Sequence, residues 1–230
     1  MKTTTYGALL ILIAGCQNPA TTTSLEAKSI RSSPRYDSAF QKLVNEEIIT
    51  NPEDKKFISD ITQLQPVRLV SCDSMAISYE DSVDEKRISL TLSLKRFDKK
   101  KHAITYNENG DRELIDGKEP WGGFYTYPET EIDALMISVN GKFISMKDEL
   151  RDLFNFDMCD SDSRSYFNPN PLLKYDKENK VFYLYVKGGN AADSYFGKII
   201  FDEGGYLKRY LVHYGQLSKT GSFGEGFKGF

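Results

Sequence analysis

The run V181-FYLYVK-187, G188-GNAADS-194, Y195-FGKIIFD-202, E203-GG-205, Y206-LKRYLVHY-214 decides how this chain folds. Three stretches of aromatic and β-branched residues are separated by turn formers, which is the pattern of an antiparallel meander. Along the first stretch Phe182, Leu184 and Val186 fall on one face, and Val181, Tyr183 and Tyr185 on the other, because side chains alternate along a strand. Both faces carry bulky groups, so the meander belongs in the middle of a sheet. A two-residue loop at Glu203-Gly204 sets Ile200 against Leu207, Phe196 against Leu211 and Gly197 against Tyr210.

Working outward, Arg87–Phe97 alternates Ile88, Leu90, Leu92 and Leu94 with Ser89, Thr91, Ser93 and Lys95, so one face is buried and one is wet. Its hairpin partner is the odd-numbered apolar series from Val67 to Tyr79, with Glu80–Lys86 as the turn. Ile132–Val139 and Lys142–Met146 flank Asn140-Gly141, a strong two-residue hairpin signal that places Ile137 against Ile144. Ala103–Tyr106 and Glu113–Ile115 pair across Asn109-Gly110. Asp157–Lys180, rich in Asp, Ser, Asn and Pro, reads as a long loop. Upstream, Asp37 caps a helix with Phe40, Leu43, Val44 and Ile48 on one face. Asn51-Pro52 opens a second helix, with Phe57, Ile61 and Leu64 on its stripe. The expected fold class is therefore α+β: an N-terminal helical hairpin packed on a mainly antiparallel β-sheet or sandwich of about eight or nine strands.

The 230 residues include 14 Tyr and 14 Phe, an aromatic load that suits a β-rich core. A formal charge of −3 gives no basic surface for a phosphate backbone, which argues against nucleic acid as a partner. At the N-terminus Lys2 precedes a short apolar core, too short to cross a bilayer, that ends in Ile13-Ala14-Gly15-Cys16. This resembles the lipobox of bacterial lipoproteins. The resemblance implies cleavage before Cys16, acylation of its sulfur and new amino terminus, and a membrane partner reached through the lipid anchor. Gln17 rather than Asp after the cysteine implies sorting to the outer membrane, facing the periplasm. The expected organisation is a signal peptide over 1–15, acylated Cys16 and a flexible tether over 16–36, one domain over 37–214 and a Gly-rich tail over 215–230. Trp121-Gly122, Glu131-Ile132, Asn140-Gly141-Lys142, Asp152–Asn155 and Gly188–Tyr195 look like uncharacterised bacterial envelope proteins, a likeness that carries no activity.

The remaining cysteines, Cys72 and Cys159, form an even pair in an oxidising envelope, most simply a disulfide. Free buried thiols are the rival reading, and a redox pair lacks the C-x-x-C spacing. Asp157, Asp160 and Asp162 offer carboxylates for Ca²⁺ but do not follow the EF-hand order, so a solvated acidic loop is the plainer reading. His102 and His213 lack zinc-ligand spacing. Ser194 near His213 lacks the nucleophile elbow of a serine hydrolase. Neither a catalytic residue nor a cofactor is assigned. The sequence thus points to an envelope lipoprotein acting by binding a protein, as an immunity, inhibitor or assembly protein does. A hydrolase of envelope glycan or lipid and a structural surface lipoprotein are the alternatives. The expected partner-binding residues are Tyr183, Tyr185, Asn190, Tyr195 and Tyr210, since tyrosine is enriched at interfaces; their burial as ordinary core is the competing expectation.

Overall fold

Two stacked antiparallel sheets share one core. The computed structural model describes residues 52–57, 59, 61, 63–106, 108, 113–123, 127–159, 171–189 and 193–213. All of them lie in the compact unit that runs from Ser32 to Phe230. Their strands are β1 (Gln65–Pro66), β2 (Leu69–Cys72), β3 (Ala76–Val83), β4 (Lys86–Arg96), β5 (Ile104–Tyr106) and β6 (Glu113–Ile115). The series continues with β7 (Thr130–Val139), β8 (Lys142–Ile144), β9 (Leu172–Asp176), β10 (Val181–Gly188), β11 (Tyr195–Asp202) and β12 (Gly205–His213). The first sheet has the order β1-β9-β10-β11-β12, the second β2-β3-β4-β7-β8, and β5 and β6 make a separate hairpin.

The two five-stranded sheets bury their facing sides together. Ile77, Ile88, Leu90 and Ile137 from one, and Phe182, Leu184, Ile199 and Phe201 from the other, belong to the same apolar cluster. Alternation in β4 is nearly strict, with Ile88, Leu90, Leu92 and Leu94 buried and Arg87 and Ser89 exposed. In β10 and β11 almost every position is buried, because a second cluster covers the outer side of that sheet. There Phe57, Ile61 and Leu64 pack on Tyr183, Tyr185, Phe196, Ile200, Tyr210 and Val212.

This arrangement corrects the expected α+β class: the described chain is a β-sandwich with an added hairpin, and the described residues contain no helical hairpin. The expected second helix is a six-residue 3-10 helix, Pro52–Phe57. Phe57, Ile61 and Leu64 do bury one apolar stripe against the tyrosine-rich face of the sheet. The expected first helix, Asp37 to Ile48, lies outside the described residues. Twelve strands replace the eight or nine expected among them. Asp157–Lys180 is not loop throughout, since Leu172–Asp176 pairs with both β10 and β1. The β3–β4 turn is narrower than expected. Glu80–Val83 continue the strand, and Asp84 and Glu85 alone form the loop, both at positive φ (48° and 65°).

Turn chemistry fixes most of the register. Asn140-Gly141 sets Ile137 opposite Ile144, and Glu203-Gly204 sets Asp202 opposite Gly205. A bulge between Ile200 and Phe201 then moves the pairing by one residue, so Gly197 faces Leu211 and Lys198 faces Tyr210. A methyl group on Gly197 would lie 2.8 Å from the Val186 side chain and 2.9 Å from that of Leu211, so the glycine makes room for both.

Candidate functional site

The expected tyrosine set divides between two buried layers. Tyr183, Tyr185 and Tyr210 lie on the outer face of the β9–β12 sheet beneath Phe57, Ile61 and Leu64. Tyr195 points the other way, into the shared core, where its hydroxyl donates to the Phe154 carbonyl at 3.1 Å. All four are at most 6% exposed, so the contiguous accessible patch expected of a tyrosine interface is not formed. Alternation explains the division: Tyr183 and Tyr185 share a parity in β10, while Tyr195 meets Gly188 across the β10–β11 pair on the inner side. Asn190 and Cys16 lie outside the described residues, as do Asp160 and Asp162. Asp157 is held by Lys187 at 2.5 Å. The Ser194 hydroxyl donates to the Gly189 carbonyl at 3.4 Å, and the His213 ring stacks on Trp121 with centroids 4.1 Å apart.

Cys72 and Cys159 are joined as a disulfide, with Cα atoms 5.6 Å apart. The bond ties the edge strand β2 to the chain that follows Phe156 and Met158, both packed in the shared core.

On the outer face of the β2-β3-β4-β7-β8 sheet Glu80, Ser89, Met136 and Phe143 are exposed. Strand pairing arranges its side chains in rows: Ser71, Ser78, Thr91 and Met136 in one, and Glu80, Ser89, Ser138 and Phe143 in the next. The even, small and hydroxyl-bearing floor follows from the Ser/Thr alternation that leaves β4 wet on this side. Two large apolar groups stand on it, Phe143 at 79% exposure and Met136 at 55%. Beside them is a hollow of about 550 Å³ lined by Ser82, Glu85, Arg87, Ser89, Ser138 and Asn140.

The rim of this hollow is braced. Asn140 accepts the Arg87 backbone N–H on its side-chain oxygen at 2.9 Å and donates its own N–H to the Arg87 carbonyl at 2.8 Å. Its amide also donates to Glu203 at 3.0 Å, and Glu203 receives Lys86 as well, so three hairpin tips are bound together. Among the described residues neither the Arg87 guanidinium nor the Glu85 carboxylate has an ion-pair partner. Sequence reasoning missed this face because its residues are individually ordinary. The signal was present in the Ser-Thr-Ser alternation of β4 beside the aromatic Phe143, placed outward by its parity with Ser138 across the Asn140-Gly141 turn.

A second polar cluster closes the end of the same sheet. The His102 ring stacks on Phe97 with centroids 4.6 Å apart and lies between two carboxylates, Asp116 at 2.8 Å from Nδ1 and Glu131 at 3.0 Å from Nε2. Burial opposes a charge on this ring, but the two carboxylates outweigh it and raise the His102 pKa above its ordinary value. Nδ1 is hydrogen-bonded to Asp116, and the Glu131 carboxylate lies close to Nε2 without forming a hydrogen bond to it. No protein-family model, curated protein or solved structure matches the chain.

Proposed function

We propose that this chain is a lipid-anchored protein of a bacterial envelope that acts as a binding module, with the outer face of the β2-β3-β4-β7-β8 sheet as its contact surface. The anchor rests on Ile13-Ala14-Gly15-Cys16 and its short apolar lead. Acyl chains on Cys16 would hold the domain at the membrane, each buried methylene adding about 0.8 kcal/mol. Gln17 supports the outer membrane, with the domain facing the periplasm.

The observation that carries the binding reading is Phe143. A phenylalanine 79% exposed, on the same face as exposed Met136, leaves apolar area in water that a partner would cover. Aromatic and Met side chains with an adjacent Arg are the composition enriched in protein interfaces, which favours a protein as partner. The small hydroxyl floor suits the close approach of a backbone or side chain, and the Arg87 and Glu85 side chains supply polar groups at the rim.

Two substitutions test the reading separately. Cys16→Ser should move the protein out of the membrane fraction or leave it as full-length precursor. Phe143→Asp should abolish the complex recovered with the detergent-extracted wild type, with the melting temperature unchanged. Wild-type protein that stays soluble and keeps Met1 in its native host would refute the anchor. A complex unaffected by Phe143→Asp would refute the surface.

A further inference from the structure

The hollow on the outer face of the β2-β3-β4-β7-β8 sheet holds polar groups that the fold itself does not use. Elsewhere on this face hydroxyls pair with one another, as Ser71 and Ser78 do at 2.7 Å. Within the hollow of about 550 Å³, the side chains of Ser82, Glu85, Arg87, Ser89 and Ser138 make no hydrogen bond or ion pair among the described residues. The sheet sets their positions. Ser82 stands opposite Arg87 and Ser89 opposite Ser138, while Arg87 and Ser89, two residues apart on β4, share a face. β4 is paired on both sides, and Asn140 braces the Arg87 backbone. Gly141, at φ 79°, leaves open space beside them, since a Cβ there would meet no atom within 4 Å.

We propose that this hollow is a saccharide site that takes one neutral pyranose unit, held by Arg87, Glu85 and the hydroxyls of Ser82, Ser89 and Ser138. The lining selects the class of ligand. No apolar side chain lines the hollow, so it offers nothing to an acyl chain or another apolar molecule. Arg87 and Glu85 cancel in formal charge, and exposed Glu80 shares a row with Ser89 and Ser138. An anion therefore gains no net attraction, and a cation meets the guanidinium. A peptide backbone pairs with a strand edge, whereas the floor here is made of side chains on a sheet face.

A neutral molecule dense in groups that both donate and accept is what fits. A guanidinium only donates, a carboxylate only accepts and a hydroxyl does both. Neighbouring hydroxyls of a sugar ring satisfy all three: their oxygens accept from Arg87 while their O–H groups donate to Glu85, and both kinds of bond are charge-assisted. Side chains opposite one another across strands stand about 5 Å apart, and those two residues apart on a strand about 7 Å, the scale of one six-membered ring with its hydroxyls. Serine side chains are short and the floor is already ordered, so binding fixes few new rotamers. Phe143 and Met136 do not line the hollow, so the inference goes beyond the protein contact and does not rest on it.

The test is saturation-transfer NMR with the full chain, extracted in a detergent that has no sugar headgroup and purified free of any partner. The probes are methyl glycosides of glucose, galactose, mannose and N-acetylglucosamine, titrated into the tens of millimolar. At least one glycoside should receive saturation, with its affinity lowered about tenfold or more by Arg87→Ala and by Glu85→Gln, since each removes a charge-assisted bond. Both side chains are exposed and without partners among the described residues, so these variants should fold as the wild type does. Phe143→Asp should bind the glycoside unchanged, and acetate, inorganic phosphate and glycine should not displace it. Tighter binding of the corresponding disaccharide would identify a glycan chain as the source, and equal binding a free sugar; either supports the site. No transfer to any of these glycosides overturns the proposal. So does binding that survives Arg87→Ala and Glu85→Gln, that is lost in Phe143→Asp, or that acetate, phosphate or glycine displaces. Because the assay holds no protein partner, the saccharide site and the protein contact fail independently.

Discussion

Arg209 grips Asp152 with both arms of its guanidinium, each nitrogen 2.6 Å from a different carboxylate oxygen. The same guanidinium donates to the Glu149 carbonyl. Arg209 sits on β12 of one sheet, and Asp152 in the turn that follows β8 of the other, so the pair fastens the two layers at their edge. Asp152 is buried, and removing one partner of a buried pair strands the other's charge. Arg209→Ala should therefore cost about 3 kcal/mol in urea unfolding. Arg209→Lys should recover only part of it, since an ammonium cannot make the two-pronged contact. A loss within experimental error would show the pair to be incidental.

The His102 cluster gives stability a pH window. The folded His102 pKa lies above its ordinary 6.5, so its contribution is complete below that value and is lost as pH rises through the folded pKa. For Asp116 burial alone would raise the carboxyl pKa, but the bond to His102 and the Ala103 N–H bring it below 3.8. Its contribution is present above that value and lost as acid titrates it. Unfolding free energy should pass through a shoulder bounded by these two limits, and His102→Gln should flatten the alkaline side. An NMR titration that placed the folded His102 pKa below 6.5 would contradict the cluster as described.

Sequence alternation made the strands legible, and turn residues made their pairing so. Asn140-Gly141 and Glu203-Gly204 both close the hairpins that their types dictate. What the sequence hid is which layer covers which face. Val181, Tyr183 and Tyr185 are apolar enough for either a core or an interface, and only the position of Phe57, Ile61 and Leu64 above them decides for core. The 52–64 stripe reads as a helix because its spacing suits one. Tertiary burial needs only that three side chains face the sheet, whatever the path of the chain between them. The bulge beside Ile200 left no mark in residue types, and it moved Leu211 rather than Tyr210 opposite Gly197.

Because the rings are core, Tyr183→Ala should cost about 3 kcal/mol or more, as truncation of a buried aromatic does. Chemical denaturation measures this directly. A near-neutral change would mean that the Tyr183 ring is not held in the core in solution.

The Cys72–Cys159 bond closes a loop of 87 residues. Reduction, or replacement of both cysteines by serine, should lower stability by up to about 4–5 kcal/mol in the chain-entropy model. Non-reducing mass analysis of envelope-derived protein should find the linked form, two mass units lighter than the dithiol; two free thiols would count against it.

The binding face is tested most directly by position-specific photo-crosslinking in intact cells. A photoreactive residue at Phe143 or Met136 should yield one adduct of discrete mass. The same group at Leu207, exposed on β12 of the other sheet, should yield none. An adduct that forms equally from all three positions, or from Leu207 alone, would contradict the assignment of the β2-β3-β4-β7-β8 face as the contact surface.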